Sequence, residues 1–389
     1  MSVRASARLA EPELVLSGRL VLSDGVIPGS VRIAGGRITH VDQGLSHLPA
    51  AVDLGDDLLM PGLIDLHTDN LERHFQPRSG VQWDAVQAAI SHDAQVIGSG
   101  ITTVYDSITI GAAEGWDMRA DYVLPMLEGL EEAVAHGMLR ADHLLHLRAE
   151  ITHEQIVEIF AHHAERPLVR FMSLMDHAPG DRQSPDIEDY RRRYLKIFDG
   201  DEAVLDRHVE RLLHGSRVLG PDHRRRLAAA ARARGIPFAS HDDASEAHVE
   251  EAAALGAVLS EFPTTPEAAR AARARGLHVL MGSPNLIRGG SHAGNVAAAD
   301  LARAGTLDIL SSDYIPGSLL LAVFRLAGDE LGLALPDAVR AVTANPADAA
   351  GLGDRGRIEP GLRADLIRVR TINGRPIVRA AWRTGERVA

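Results

Sequence analysis

The chain has 389 residues, 45% hydrophobic and 24% charged, with 53 Asp plus Glu against 41 Lys plus Arg and a formal net charge of -12. That composition excludes a disordered chain and disfavours non-specific attachment to nucleic acid or an anionic membrane, and no run of about 18 apolar residues is present to span a bilayer. Cysteine is absent, which excludes disulfides and thiolate metal sites, so any ion must be held by imidazole nitrogen and carboxylate oxygen.

The length exceeds a barrel-sized domain of roughly 250 residues, so two units are expected. The opening stretch MSVRASARLAEPELVLSG lacks an apolar core segment and a small-residue cleavage pattern, and a cytoplasmic protein without a secretory signal is expected. The segment ELVLSGRLVLSDGVIPGSVRIAGGRITHVDQG then alternates β-rich runs with the turn signals Ser-Asp-Gly, Pro-Gly and Gly-Gly. It predicts a small antiparallel sheet.

Between residues 61 and 349, eight apolar runs of strand length alternate with segments rich in Ala, Glu and Arg: LIDLH, TTVYD, LLHLRAE, LVRFMSLMDH, PFASHDD, AVLSEFPT, HVLMGSPN and DILSSDY. Eight strand-then-helix units predict a TIM-like (β/α)8 barrel, with an open doubly wound sheet as the alternative. The charged stretch 181–224 is expected to add helices or a lid after the fourth strand. The C-terminal GRIEPGLRADLIRVRTINGRPIVRAAWRTGERV repeats the β-rich texture, with Asn373-Gly374 as a hairpin turn. Residues 1–60 and 350–389 are therefore expected to pair into one small β-sandwich domain beside the barrel at 61–349.

Polar residues gather where the eight runs end: His67 and Asp69, Asp106, Glu150, His177, His241 with Asp242 and Asp243, Glu261, Asn285, and Asp313. His67 and Asp69, two apart, share a face if the first strand runs through both. Each alone reads as a loop hydrogen-bonder or helix cap. Together they read as a metal site, because several carboxylates around one mouth are costly to bury unless cations neutralise them. Imidazoles with bridging carboxylates suit two divalent ions about 3.5 to 4 Å apart, which activate water and polarise the bond it attacks. His241 is the expected ligand of the His-Asp-Asp run, with Asp242 and Asp243 as supporting partners or the start of the next helix.

After the seventh run, GSPNLIRGGSHAGN offers the charged fork of Arg288, close backbone approach at Gly289 and Gly290, and the polar side chains of Asn285 and His292. Barrels often bind phosphate here, so these residues are the expected phosphate site, an ordinary Gly-rich turn being the alternative. Arg73 and Arg78, beyond the first metal pair, are further candidates for distal phosphates. The runs RRRY (191–194) and HRRR (223–226) read as solvated helix faces, since no aromatic stacking series accompanies them.

PGLIDLHTDN, HLRAE, ASHDDA, SDY and the split terminal β-domain resemble the amidohydrolase superfamily. GLIDLHTDNLERHFQPRSGVQW, HDAQVIGSGITTVYDS, LMDHAPG, EFPTT and MGSPNLIRGGSHAGN resemble, across essentially the whole chain, the PhnM family of the carbon–phosphorus lyase pathway. The resemblance implies hydrolysis of α-D-ribose 1-methylphosphonate 5-triphosphate to the 5-phosphate and pyrophosphate, with a pair of Zn or Mn ions, or Mg. It also implies roles for single residues. His67 and Asp69 stand for the first-strand His-x-His pair, Glu150 for the third-strand ligand and catalytic glutamate, and His241 for the fifth-strand His. Asp313 stands for the eighth-strand aspartate that binds metal and takes a proton from water. Glu261 replaces the usual sixth-strand His, and His177 is an additional ligand. The alternative activity is hydrolysis of a cyclic amide or amidine, and a third reading is a catalytically silent barrel that binds a phosphorylated ligand. The expected partners are a ribosyl triphosphate and a second copy of the chain, with neither nucleic acid nor membrane.

Overall fold

The computed structural model describes residues 13–78, 80–111, 120–291 and 294–389. The first four strands, β1 (Leu14–Val21), β2 (Val26–Ala34), β3 (Arg37–Gln43) and β4 (Val52–Pro61), join the last three, β13 (Leu366–Ile372), β14 (Arg375–Arg383) and β15 (Glu386–Arg387). They form one seven-stranded sheet in the order β15-β14-β13-β4-β1-β2-β3. The two ends of the chain meet because β4 lies parallel to β1 and antiparallel to β13. The sheet curls over its own apolar core, including Leu16, Leu20, Ile38, Leu59, Leu366 and Trp382. A bridge between Arg37 and Arg363 draws its far edge back toward the start of β13.

Two turn expectations fare differently. Asn373 and Gly374, with φ of 50° and 73°, form the two-residue β13–β14 turn between paired Ile372 and Arg375, as the twist of a hairpin favours. Pro28-Gly29, expected as a turn, lies inside β2, where Gly29 pairs with Gly18. A Cβ on Gly29 would stand 2.6 Å from a Leu20 methyl and 2.8 Å from the Asp42 carbonyl. The glycine there serves close approach of neighbouring strands, not chain reversal.

The eight predicted barrel strands all form: β5 (Leu63–Thr68), β6 (Ile101–Ile110), β7 (Asp142–Glu150), β8 (Val169–Met175), β9 (Phe238–His241), β10 (Leu259–Glu261), β11 (His278–Gly282) and β12 (Ile309–Ser311). Neighbours in sequence are neighbours in the sheet, and every pair is parallel. The barrel closes through a bridge between Thr68 and Asp313, with Asp69 N–H donating to Asp313 O (2.7 Å) and Asp313 N–H to His67 O (2.9 Å). Its interior is filled by Ile64, Leu66, Tyr105, Phe171, Leu259, Leu280 and Ile309. It is a packed core whose open end carries the polar residues.

Beyond β8, the stretch after residue 180 forms two added helices, Ile187–Tyr194 and Glu202–His214, then a π turn Gly215–Leu219 leading into the barrel helix Gly220–Ala233. The added helices pack around Ala178, Tyr190, Leu205, Val209 and Leu212. Arginines of the two basic runs pair with acidic residues of these helices and their neighbours: Arg191 with Asp206, Arg193 with Asp189, Arg225 with Asp222 and Arg226 with Glu158. Among the described residues, no helix is long and apolar enough to cross a membrane.

Candidate metal centre

Among the described residues four groups of three side chains each bring one ligand atom within 4.8 Å of the others: two fully buried, His67 with His146 and Glu261 and His92 with Asp106 and His143, and two at the open end of the barrel, His67, Asp69 and Asp313, and His177, His241 and Asp242. His67 ends β5 together with Thr68, but Asp69 has already left the strand and precedes the helix Asn70–Phe75. The two share a group although the alternation of one continuous strand does not carry them there. Asp69 is placed by its N–H bond to Asp313 O, that is, by barrel closure.

Each imidazole is oriented by a buried carboxylate. Glu261 Oε1 and Oε2 lie 2.7 Å from the Nδ1 atoms of His67 and His241 respectively, and Glu150 Oε2 lies 2.8 Å from Nδ1 of His177. With Nδ1 donating its proton to these acceptors, Nε2 is left as the lone-pair nitrogen. The Nε2 atoms face carboxylates at longer range: His67 to Asp69 at 3.6 Å, His241 to Asp242 at 3.5 Å and His177 to Asp242 at 3.9 Å. Carboxylate-buttressed imidazoles turned toward a shared point are the arrangement that metal-binding histidines adopt. Among the described residues, Asp242 Oδ2 is buried without a hydrogen-bond partner, as suits an oxygen facing a cation. The donor set of imidazoles and carboxylates, with no thiolate, suits a divalent metal ion.

Electrostatics agree. Burial opposes the charged form of His67, but Glu261 and Asp69 outweigh it and push its pKa up to about 10. Burial likewise opposes the His177 cation, and Glu150 raises its pKa nonetheless. Against the same desolvation, the surrounding imidazoles hold Glu261 well below the usual carboxylate range. A cup that draws protons onto its imidazoles would draw divalent cations for the same reason.

Glu150, expected as a ligand and catalytic group, lies outside both groups, its oxygens engaged by His177 Nδ1 and by Thr152 (Oγ1, 2.8 Å). Asp242, expected as a supporting partner or the start of the next helix, stands in one of the two groups at the open end. Its neighbour Asp243 takes that role, bound by Arg182 (3.0 Å), Ser260 (2.7 Å) and Ser240. Asp242 and Asp313 adopt φ of 54° and 56°, a left-handed conformation uncommon outside glycine. Gly282 at the end of β11 leaves room for the second of them, since a Cβ there would lie 3.3 Å from Asp313 Oδ2.

Asp106 departs from expectation. β6 runs on to Ile110, so Asp106 lies mid-strand, fully buried, and not at the mouth. It accepts hydrogen bonds from His92 Nε2 (2.6 Å) and His143 Nδ1 (2.8 Å), while the Asn70 amide donates to His92 Nδ1 (2.9 Å). These contacts tie the helix that follows Asp69 to the barrel wall.

A cavity of about 460 Å³ opens over the centre, lined by residues of both groups and by Arg73, Arg148, Gln183, Asn285, Arg288, Gly290 and Tyr314. Arg288 makes no hydrogen bond or ion pair with a described residue, and Arg73 lies 5.3 Å from the Tyr314 ring centroid. The glycines expected to cradle phosphate use their N–H groups otherwise: Gly289 and Gly290 both donate to Asn285 O, at 3.1 and 3.0 Å, closing the helix Ser283–Arg288. The Asn285 side chain bonds Val296 O and Ala298 N, fastening the loop. Arg78 is exposed and does not line the cavity, and His292 lies outside the described residues. Sequence reasoning passed over Arg148, although it stands two residues before Glu150 on β7 and so shares its face. Arg148 Nη1 binds both oxygens of Asp69, at 2.8 and 3.0 Å. Burial opposes its charge, but Asp69, Glu261, Glu72 and Asp313 keep its pKa above the ordinary value.

The chain belongs to the amidohydrolase family, whose model matches residues 58–388. It is 46% identical over 371 residues to an alpha-D-ribose 1-methylphosphonate 5-triphosphate diphosphatase of Escherichia coli strain K12, covering 95% of this chain and 98% of that protein. It is 28% identical over 365 residues to an imidazolonepropionase of Deinococcus deserti, covering 86% and 85%. Among solved structures, the N-acetyl-D-glucosamine-6-phosphate deacetylase of Mycobacterium smegmatis shares the fold with a TM-score of 0.65 at 20% identity, over 97% of this chain and 100% of that one.

Proposed function

We propose that this amidohydrolase cleaves the triphosphate of α-D-ribose 1-methylphosphonate 5-triphosphate, releasing pyrophosphate and leaving the 5-phosphate. The observation that carries the reading is the end-to-end 46% identity to a diphosphatase of that substrate. The site supports it chemically, because three arginines, Arg73, Arg148 and Arg288, line the same cavity as the acidic cup. A polyanion needs them there, and a neutral cyclic amide does not.

His67, Asp69 and Asp313 would hold one divalent ion and His177, His241 and Asp242 another. Bound there, such ions would supply Lewis-acid polarisation of a phosphoryl oxygen and lower the pKa of water. The chain's own residues do the rest. Glu261 and Glu150 keep protons on the Nδ1 atoms they face, so that the Nε2 lone pairs point inward. Asp313, fixed by its backbone bonds across the barrel seam, receives the proton of the attacking water on its carboxylate. Arg73 and Arg288 at the rim orient the distal phosphates. We further take Zn or Mn as the resident metal, the cytoplasm as the compartment and a homodimer as the assembly.

The test is to incubate metal-loaded protein with the ribosyl triphosphate and, separately, with cyclic amides such as imidazolonepropionate. Pyrophosphate release from the first alone is expected, lost together with bound metal in His67→Ala and His241→Ala. Turnover of a cyclic amide with none of the triphosphate would overturn the reading.

A further inference from the structure

We propose that Arg148 is a catalytic residue: its guanidinium contacts the phosphoryl group under attack and is what lets the acidic cup admit an anion. The inference rests on the phosphoanhydride reading above and deepens it. Alternation along β7 brings His146, Arg148 and Glu150 to one face, rising toward the mouth. Arg148 is only 9% exposed, yet it lines the cavity beside His67, Asp69 and Asp313. Its Nη1 is taken by Asp69 and its Nε is buried away from the cavity, so Nη2, which bonds no described residue, is the donor left to a ligand. A charged N–H at a cavity wall without a protein partner is a ready donor to an anionic ligand.

Charge points the same way. Asp69, Asp242, Asp313, Glu150 and Glu261 surround the site, and two divalent ions would leave one of these five carboxylates unbalanced. Arg148 supplies the remaining positive charge. The other nearby arginines do not, because Arg182 is turned to His241 O and Asp243, while Arg73 and Arg288 stand exposed at the rim. In the step itself the water oxygen bonds to phosphorus and the bridging P–O bond of the α–β anhydride breaks, its electron pair leaving on pyrophosphate. The water proton passes to Asp313. Arg148 donates to a non-bridging oxygen of the same phosphoryl group, where negative charge is concentrated.

Arg148→Met keeps the bulk and removes the charge, and Arg148→Lys keeps the charge without the fork. Calorimetric titration of the metal-loaded proteins with ribose 5-phosphate, which carries the phosphoryl group that stays on the sugar, with metal content measured on the same samples, is expected to show Arg148→Met metal-replete and about tenfold to a hundredfold weaker than wild type, with Arg148→Lys in between. Turnover of the triphosphate by Arg148→Met should fall about a thousandfold in kcat, a larger change than in KM. Wild-type affinity for ribose 5-phosphate in Arg148→Met overturns the proposal. So does a loss of binding matched by an equal loss of metal, which would make Arg148 only the counter-ion of Asp69. If Arg148→Met does not fold, unchanged ribose 5-phosphate affinity and kcat in Arg148→Lys overturn it instead. A wild type that binds ribose 5-phosphate but does not cleave the triphosphate would sink the proposed reaction while leaving this titration decisive for Arg148.

Discussion

Replacing Glu261 by Gln isolates what a single carboxylate does for two imidazoles. Glu261 accepts from Nδ1 of both His67 and His241 at 2.7 Å, and all three side chains are buried. Gln retains one acceptor and turns an NH2 toward the other ring. That ring must then keep its Nδ1 bare and carry its proton on Nε2, the atom that faces the ligand group. One ion group should therefore suffer while the other is spared. A charge-assisted hydrogen bond is worth about 1.5 to 3 kcal/mol, and loss of a buttress to a metal-binding His typically weakens the metal about tenfold to a hundredfold. The assay is calorimetric titration of metal-free protein with Zn or Mn under chelator competition, which separates tight from weak sites. Two sites unchanged in Glu261→Gln would show that the carboxylate does not set the tautomers. Both sites abolished would show that it binds an ion directly, and either result refutes the argument.

Asp313→Asn keeps the shape of the side chain but cannot take up a proton at neutral pH, so kcat should fall about a hundred to ten-thousandfold with substrate binding largely retained. A metal-replete variant with near-normal turnover would move suspicion to another base. Arg288→Ala should weaken the triphosphate about tenfold to a hundredfold and leave a neutral ribosyl analogue unaffected, and equal losses for both would indicate a folding role. In the terminal sheet, burial raises the pKa of Asp57, but hydrogen bonds from Arg370 and Arg368 overcome this and lower it below the usual carboxylate value. Because the folded value lies below the unfolded one, the stabilisation is present above about pH 4 and fades as pH falls through the folded pKa. Asp57→Asn should cost roughly 2 kcal/mol at pH 7 and flatten the acid side of the stability curve. Thermal melts of variant and wild type that stay parallel down to acid pH would contradict this.

Much of this molecule is legible in its sequence. Eight apolar runs separated by helical segments determine eight parallel strands, because each run is long enough for one strand and each connection long enough for a crossover. The matching β-rich ends determine a shared terminal sheet for the same reason of local pattern. Four of the six grouped side chains, His67, His177, His241 and Asp313, follow their runs directly, and their positions could be read from where those runs stop. The tertiary structure decided the rest. The left-handed turn at Asp242 is held by its N–H bond to Glu261 O, and Asp69 is held by its N–H bond to Asp313 O across the barrel seam. The same long-range packing made Glu261 and Glu150 buttresses of imidazoles and carried β6 past Asp106, whereas the N–H groups of Gly289 and Gly290 are spent locally, on Asn285 O at a helix end. Local periodicity shows which face a side chain takes while a strand lasts. It says nothing about where a chain is turned by a partner more than two hundred residues away, as Asp69 is by Asp313.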